Sequence, residues 1–292
     1  MSKYFNETMK ANQWAQQRLA EQGLNQSHLP GPGVGPRMAA VQPQESRQAN
    51  ISKAQTARLV LRQDDASQAA LEAYCGLRNR LMLIQAESAV QSIIISSSLP
   101  GEGKTLTTMN LGLCYAELAQ QRVLLIDADL RIGGLTSMLD HPGLPGLAEV
   151  LSGEAAADEA IVRTNQKNLY VLPAGNVSSP SSELFVGTRW QELLAHANEL
   201  FNIVLVDSPS ILPSADFELI SAACDGILMV VRGHHGQRGK LRKTAGTIDQ
   251  NKLLGVVFNA RGSKAIYHDR HRYGYSSTQK RHSRNSVLGL ND

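Results

Sequence analysis

The sequence predicts an α/β fold, a mainly parallel central sheet flanked by helices. Two observations carry that prediction. Short runs that are apolar at nearly every position recur along the chain, and stretches of helical length separate several of them; strands buried on both faces have this texture. A glycine-rich turn follows the first such run and leads straight into a helix, the order in which parallel sheets present ligand sites at one edge.

The first 69 residues read as an arm rather than a core. Residues 5–22 offer a short helix, with Trp14 and Leu19 among polar neighbours. Pro30, Gly31, Pro32, Gly33, Val34, Gly35 and Pro36 are too dense in proline and glycine for regular structure and read as a linker. Val41–Asn50 is polar and offers almost nothing as an anchor, so the arm is expected to be largely disordered. Leu71, Tyr74, Leu77, Leu81 and Ile84 then recur at spacings of three and four, which predicts an amphipathic helix over 68–86. Ser92–Ser97 reads as a buried strand, followed by strand candidates at Arg122–Ala128, Asn168–Leu172, Asn202–Asp207, Gly226–Val231 and Leu254–Phe258. Helices are expected at Thr105–Gln120 and Glu183–Leu200. No internal repeat is apparent. One domain over 70–260, between the arm at 1–69 and a tail at 261–292, accounts for the pattern.

Of the 292 residues, 42% are hydrophobic and 19% charged, too polar for a multi-span membrane protein and too apolar for a wholly disordered one. The apolar runs are far too short to cross a bilayer, and the first 22 residues hold no apolar segment of a secretory signal. A cytoplasmic location with no transmembrane segment is expected. Cys75, Cys114 and Cys224 form no close pair in sequence, which argues against a disulfide framework or a zinc site. Cys114 and Cys224 read as small buried hydrophobes, and the eight histidines show no metal-ligand spacing. The net charge of +3 is concentrated in the tail, where seven Lys and Arg face Asp269 and Asp292. Such a tail suits an anionic membrane face, nucleic acid or an acidic partner, or is simply a solvated terminus. No DNA-reading helix is recognised, so nucleic acid is not the favoured partner.

Ser98-Leu-Pro-Gly-Glu-Gly-Lys-Thr105 has the layout of a phosphate-binding loop, with Ser98 in place of the usual first glycine. Pro100, Gly101, Glu102 and Gly103 form the turn whose N–H groups face the phosphates, and Lys104, Thr105 and Leu106 open the helix beneath them. Lys104 is placed to reach the outer phosphates, and Thr105 to ligate Mg2+. Asp127 and Asp129 end the next apolar run, and Asp207 ends another before Ser208-Pro209. Carboxylates delivered to the ligand edge of a parallel sheet suit magnesium coordination (Asp127, Asp207) and the orientation of an incoming hydroxyl.

Through these motifs the chain resembles the cytoplasmic domain of the bacterial tyrosine kinases that control capsule or exopolysaccharide synthesis and export. That group is a branch of the MinD/ParA-like P-loop ATPases. The resemblance covers about residues 70–260 and rests on Ser98–Thr105, Asp127-Ala-Asp-Leu-Arg131 and Asn202–Pro209. Gly146–Gly153, Leu172–Gly175 and Ser182–Leu184 also fit. It implies a P-loop fold that binds ATP and Mg2+ through Lys104 and Thr105, with Lys104, Asp127, Asp129 and Asp207 as the catalytic set. It places Asn259 near the nucleotide base, although a core-edge Asn serving local backbone groups fits equally.

The resemblance further implies a ring-like homo-oligomer, a membrane-associated activator that holds the chain at the inner face of the membrane, and a tyrosine tail phosphorylated in trans. Tyr267, Tyr273 and Tyr275 are the candidate acceptors; an aromatic-basic binding arm and a solvated tail are the alternatives. Two departures stand out. The family's Glu-x-x-Arg-x-x-Arg assembly motif reads Glu72, Cys75, Arg78 here, so one guanidinium is lost and a weaker oligomer is expected. Ile132-Gly133 follows Arg131 where a basic residue and proline are usual. Three functions therefore stand at the level of sequence: a tyrosine autokinase, an ATPase switch organising a polysaccharide machine, and a nucleotide-binding interaction protein.

Overall fold

The computed structural model describes residues 48–51, 65–140, 145–176, 181–232 and 238–259, all within one compact unit that ends at Asn259. In chain order these form β1 (Gln48–Ile51), α1 (Asp65–Glu87), β2 (Ser92–Ser97), α2 (Lys104–Ala116), β3 (Val123–Asp127) and β4 (Leu139–Asp140). Then come α3 (Leu147–Ser152), α4 (Ala157–Ala160), β5 (Val162–Thr164), β6 (Leu169–Leu172), α5 (Ser181–Leu184) and α6 (Arg189–Leu200). Next are β7 (Ile203–Asp207), α7 (Asp216–Ala223), β8 (Gly226–Val231), α8 (Arg238–Thr247) and β9 (Leu253–Phe258).

Among the described residues the strands make one sheet in the order β4-β1-β5-β6-β3-β7-β2-β8-β9. All pairings are parallel except β1 with β4 and β5 with β6. The central strands are buried at every position, and their side chains alternate between two layers. Ile94, Leu124, Ile126, Val204 and Val206 pack with Trp190 and Phe217 on one side. Ile93, Ile95, Leu125 and Leu205 pack with Met109, Leu113 and Tyr115 on the other. The mainly parallel sheet flanked by helices is therefore as expected, and because β2, β3 and β7 all run the same way, their carboxyl ends form one edge.

Several local expectations are corrected. Gln48–Ile51, inside the arm expected to be largely disordered, is a strand between β4 and β5: Ala49 and Ile51 are both buried, and these two alternating apolar residues suffice as an anchor. The expected helix and linker at 5–22 and 30–36 lie outside the described residues. The helix expected to run to Gln120 stops at Ala116, where the N–H of Leu118 turns back to the Tyr115 carbonyl and the chain swings into β3. The single helix expected at Glu183–Leu200 is two, α5 and α6, broken where Gly187 takes φ +107°. Cysteines remote in sequence are neighbours in space: α1 packs on α2 and sets the Cys75 thiol against Cys114, both free. Arg78 is also buried there and donates to the Cys114 carbonyl at 2.7 Å. Among the described residues no helix is long and apolar enough to cross a membrane.

Candidate nucleotide site

The loop after β2 is held by its own Glu102 and by Arg232 and Asn259 from beyond β8 and β9. Gly101 and Gly103 take φ +79° and +101°, which other residues adopt at a cost. A Cβ on Gly103 would also run into the Asn259 amide. Glu102 is 3% exposed and faces inward as a brace: Oε2 accepts the Leu99 N–H at 2.9 Å and Oε1 the Arg232 N–H at 3.4 Å. Arg232 Nη1 then donates to the Gly101 carbonyl at 3.1 Å, and Asn259 Nδ2 to the Glu102 carbonyl at 2.9 Å. Asn259 therefore lies against the loop as a partner of its backbone. Pro100 is exposed at the tip, and Leu106 is half-buried against the apolar layer beneath the loop.

Lys104 is buried and donates from Nζ to Ser210 Oγ at 3.1 Å. Asp127 and Asp207 are partners in the β3–β7 register, so the sheet itself sets the two carboxyls side by side. Asp127 Oδ2 accepts both the N–H and the hydroxyl of Thr136 at 2.7 Å, and Thr136 Oγ1 in turn accepts the Ala174 N–H at 2.8 Å. Asp207 Oδ1 accepts the Thr108 hydroxyl at 3.5 Å, and the Thr105 hydroxyl also reaches this carboxyl. The second oxygens, Asp127 Oδ1 and Asp207 Oδ2, are buried with no hydrogen-bond partner among the described residues.

Burial pushes both acids up, Asp127 to about 6 and Asp207 to about 8, with repulsion from Asp129 adding to the rise at Asp127 and repulsion from Asp127 adding at Asp207. Thr136 opposes the rise at Asp127; Thr105 and the Lys104 ammonium oppose it at Asp207. Asp129, 6% exposed, is raised by burial as well, against the pull of Lys104 and Arg131. Two orphaned carboxylate oxygens beside a threonine hydroxyl fit a divalent cation. Among the described residues no cluster of three or more acidic, His or Cys groups is set to hold a metal. A cation here would draw its remaining ligands from hydroxyls, water and phosphate oxygens, as magnesium commonly does.

The structure thus brings Lys104, Thr105, Asp127, Asp129 and Asp207 together at one edge of the sheet. Tyr267, Tyr273 and Tyr275 lie outside the described residues. Sequence reasoning missed Thr108, Thr136, Ser210 and Arg232, because a lone hydroxyl within a helix and isolated polar residues beyond strand ends carry no spacing signal. It also missed a group around Arg131, whose Nε donates to Ser181 Oγ at 3.2 Å while Nη2 pairs with Asp216 Oδ2 at 3.5 Å. Ser181 Oγ donates to that same oxygen at 2.7 Å.

Comparison with known proteins agrees with this geometry. The AAA domain family matches residues 90–253. The tyrosine-protein kinase YwqD of Bacillus subtilis (strain 168) is 31% identical over 211 residues, covering 71% of this chain and 86% of that protein. The putative tyrosine-protein kinase EpsB of Ralstonia nicotianae is 29% identical over 73% of this chain, which spans 28% of its length. Among solved structures, the BceF tyrosine kinase domain is 29% identical with a TM-score of 0.60, covering 74% of this chain and 84% of that one. A phosphate loop, paired acids on neighbouring strands and kinship along most of YwqD converge on one conclusion: the chain belongs to the bacterial tyrosine-protein kinase family, built on an AAA-type P-loop ATPase domain.

Proposed function

We propose that the chain is an ATP-dependent protein-tyrosine autokinase serving exopolysaccharide or capsule polymerisation and export. The observation that carries the chemistry is the Asp127–Asp207 pair, registered across β3 and β7, each with one oxygen unpartnered among the described residues and with the Thr105 hydroxyl at Asp207. The loop N–H groups and Lys104 hold the ATP phosphates. Thr105, Asp127 and Asp207 would hold Mg2+, which would supply neutralisation of charge on the transferring phosphoryl group. Asp129, the least enclosed of the three acids, orients the tyrosine hydroxyl and takes its proton. The phenolic oxygen bonds to the γ-phosphorus, the bond from that phosphorus to the β–γ bridging oxygen breaks, and ADP leaves.

Tyr267, Tyr273 and Tyr275 are the acceptors, supplied by a second copy in a homo-oligomer. A membrane-associated partner brings the chain to the inner face of the membrane and activates it. The test is incubation of purified chain with ATP and Mg2+, alone and with candidate activators, followed by phosphosite mapping. Tyrosine phosphate absent from Lys104→Ala is the expected result. No tyrosine phosphate with a properly paired activator would refute the proposal.

One observation favours a second reading, an ATPase switch without tyrosine transfer. Arg78, the remaining arginine of the assembly motif, is spent on Cys114 within its own chain, and Cys75 beside it is no cation. Replacing Tyr267, Tyr273 and Tyr275 together with Phe separates the two: a switch keeps its cellular output, an autokinase loses it.

A further inference from the structure

Arg131 sits two residues after Asp129, on a turn closed by the Ile132 and Gly133 N–H groups, which both donate to the Asp129 carbonyl, at 3.1 and 2.8 Å. Its side chain is 56% exposed, yet it is anchored to Asp216, whose side chain is 2% exposed. A nearly buried carboxylate is costly unless it holds something in place. Here Asp216 Oδ2 gathers the Ser181 hydroxyl and the guanidinium, while Ser181 Oγ also accepts from Arg131 Nε. Nε and one terminal nitrogen are thereby fixed, and the other terminal nitrogen has no partner among the described residues. Because the guanidinium is planar, anchoring one edge sets the direction of the other.

We propose that the outer edge of Arg131 is the acceptor-side specificity contact, taking the carboxylate of an acidic residue beside the tyrosine, with Ser181 and Asp216 as positioning residues. The inference rests on the kinase reading above and names its substrate class. A nucleotide phosphate is the poorer occupant, because the phosphate loop and buried Lys104 already serve that anion, whereas Arg131 meets solvent. Residues 261–291 contain one acid, Asp269, two positions after Tyr267. The tail of another copy would therefore offer Tyr267 in preference to Tyr273 and Tyr275.

The experiment uses the full chain with ATP and Mg2+ and synthetic peptides spanning residues 265–272, in three forms: natural, Asp269→Asn and Asp269→Lys. A charge-assisted pair of this kind corresponds to about tenfold in affinity. The natural peptide should have a KM about tenfold below that of the Asn peptide at similar kcat, and the Arg131→Glu chain should instead prefer the Lys peptide. Ser181→Ala and Asp216→Asn should shrink the ratio between natural and Asn peptides, whereas a purely structural role would depress both peptides equally. Fluorescence anisotropy on the same peptides measures the ratio without turnover. Equal binding of natural and Asn peptides, or an unchanged preference in Arg131→Glu, would overturn the Arg131 contact. Discrimination in binding with no phosphate transfer even when a properly paired activator is added would uphold the contact and defeat the kinase reading.

Discussion

Asp207→Asn should change the pH dependence of stability more than any other single substitution at the site. An aspartate in an unfolded chain titrates near ~3.9. Burial and the neighbouring Asp127 lift Asp207 to about 8 in the folded protein without bound cation. Between pH 5 and 7 the folded state therefore holds about one proton more at this carboxyl than the unfolded state does. Stability then falls as pH rises, by about 1.4 kcal/mol per unit, or roughly 2.7 kcal/mol over the interval. The sign follows from a raised folded-state value: the contribution is complete below the unfolded value and is lost on the way up to the folded one. Asparagine resembles the protonated acid in shape and does not titrate, so the variant should match the wild type near pH 5 and exceed it near pH 7. Urea unfolding of both proteins at pH 5, 6 and 7, free of nucleotide and magnesium, reads the difference directly. Adding ATP and Mg2+ at pH 7 should stabilise the wild type and leave the variant nearly unmoved. Parallel stability profiles for the two proteins would refute the account of a buried, repelling pair.

Three further outcomes are expected. Gly112→Ala places a Cβ 2.6 Å from Leu125 Cδ2, where α2 lies on β3, and should lower stability by about 1–3 kcal/mol in urea titration. Thr136→Val removes the hydroxyl that donates to Asp127 and accepts from Ala174, and should cost about 1–3 kcal/mol. It should also weaken Mg2+-dependent nucleotide binding by calorimetry, since the Asp127 carboxyl loses an orienting partner. Cys75, whose thiol is drawn down to about 7 chiefly by the Cys114 thiol, should alkylate with iodoacetamide along a curve centred near pH 7. Cys114 and Cys224, buried and pushed up, should react only on unfolding, as peptide mapping would show.

The central strands were legible because each is apolar on both faces, a pattern that few other structures produce. The phosphate loop and its acids were legible for a chemical reason: a loop wrapped on phosphate needs glycines, a lysine and a hydroxyl in fixed order. What stayed hidden depends on distance along the chain. Arg232 meets Glu102 130 residues away, and Asp216 meets Ser181 across 35. No local spacing announces such pairs. Strand β1 escaped for a different reason. A four-residue strand with two buried side chains has too few positions to show a period, and its partners, β4 and β5, are two and three residues long. Arg78, at a recognisable motif position, also reaches the Cys114 carbonyl 36 residues away, a contact that no spacing announces.

Strand β1 also bears on how the chain would respond to a pull. Its grip on each neighbour is two registered pairs, parallel to β5 and antiparallel to β4. Tension entering ahead of Gln48 would load this short ladder first. Four strands, β5, β6, β3 and β7, separate it from β2, whose end carries the phosphate loop. The sheet thus contains a mechanical fuse: β1 would peel away at modest force, before the load reached the strands that set Asp127 beside Asp207.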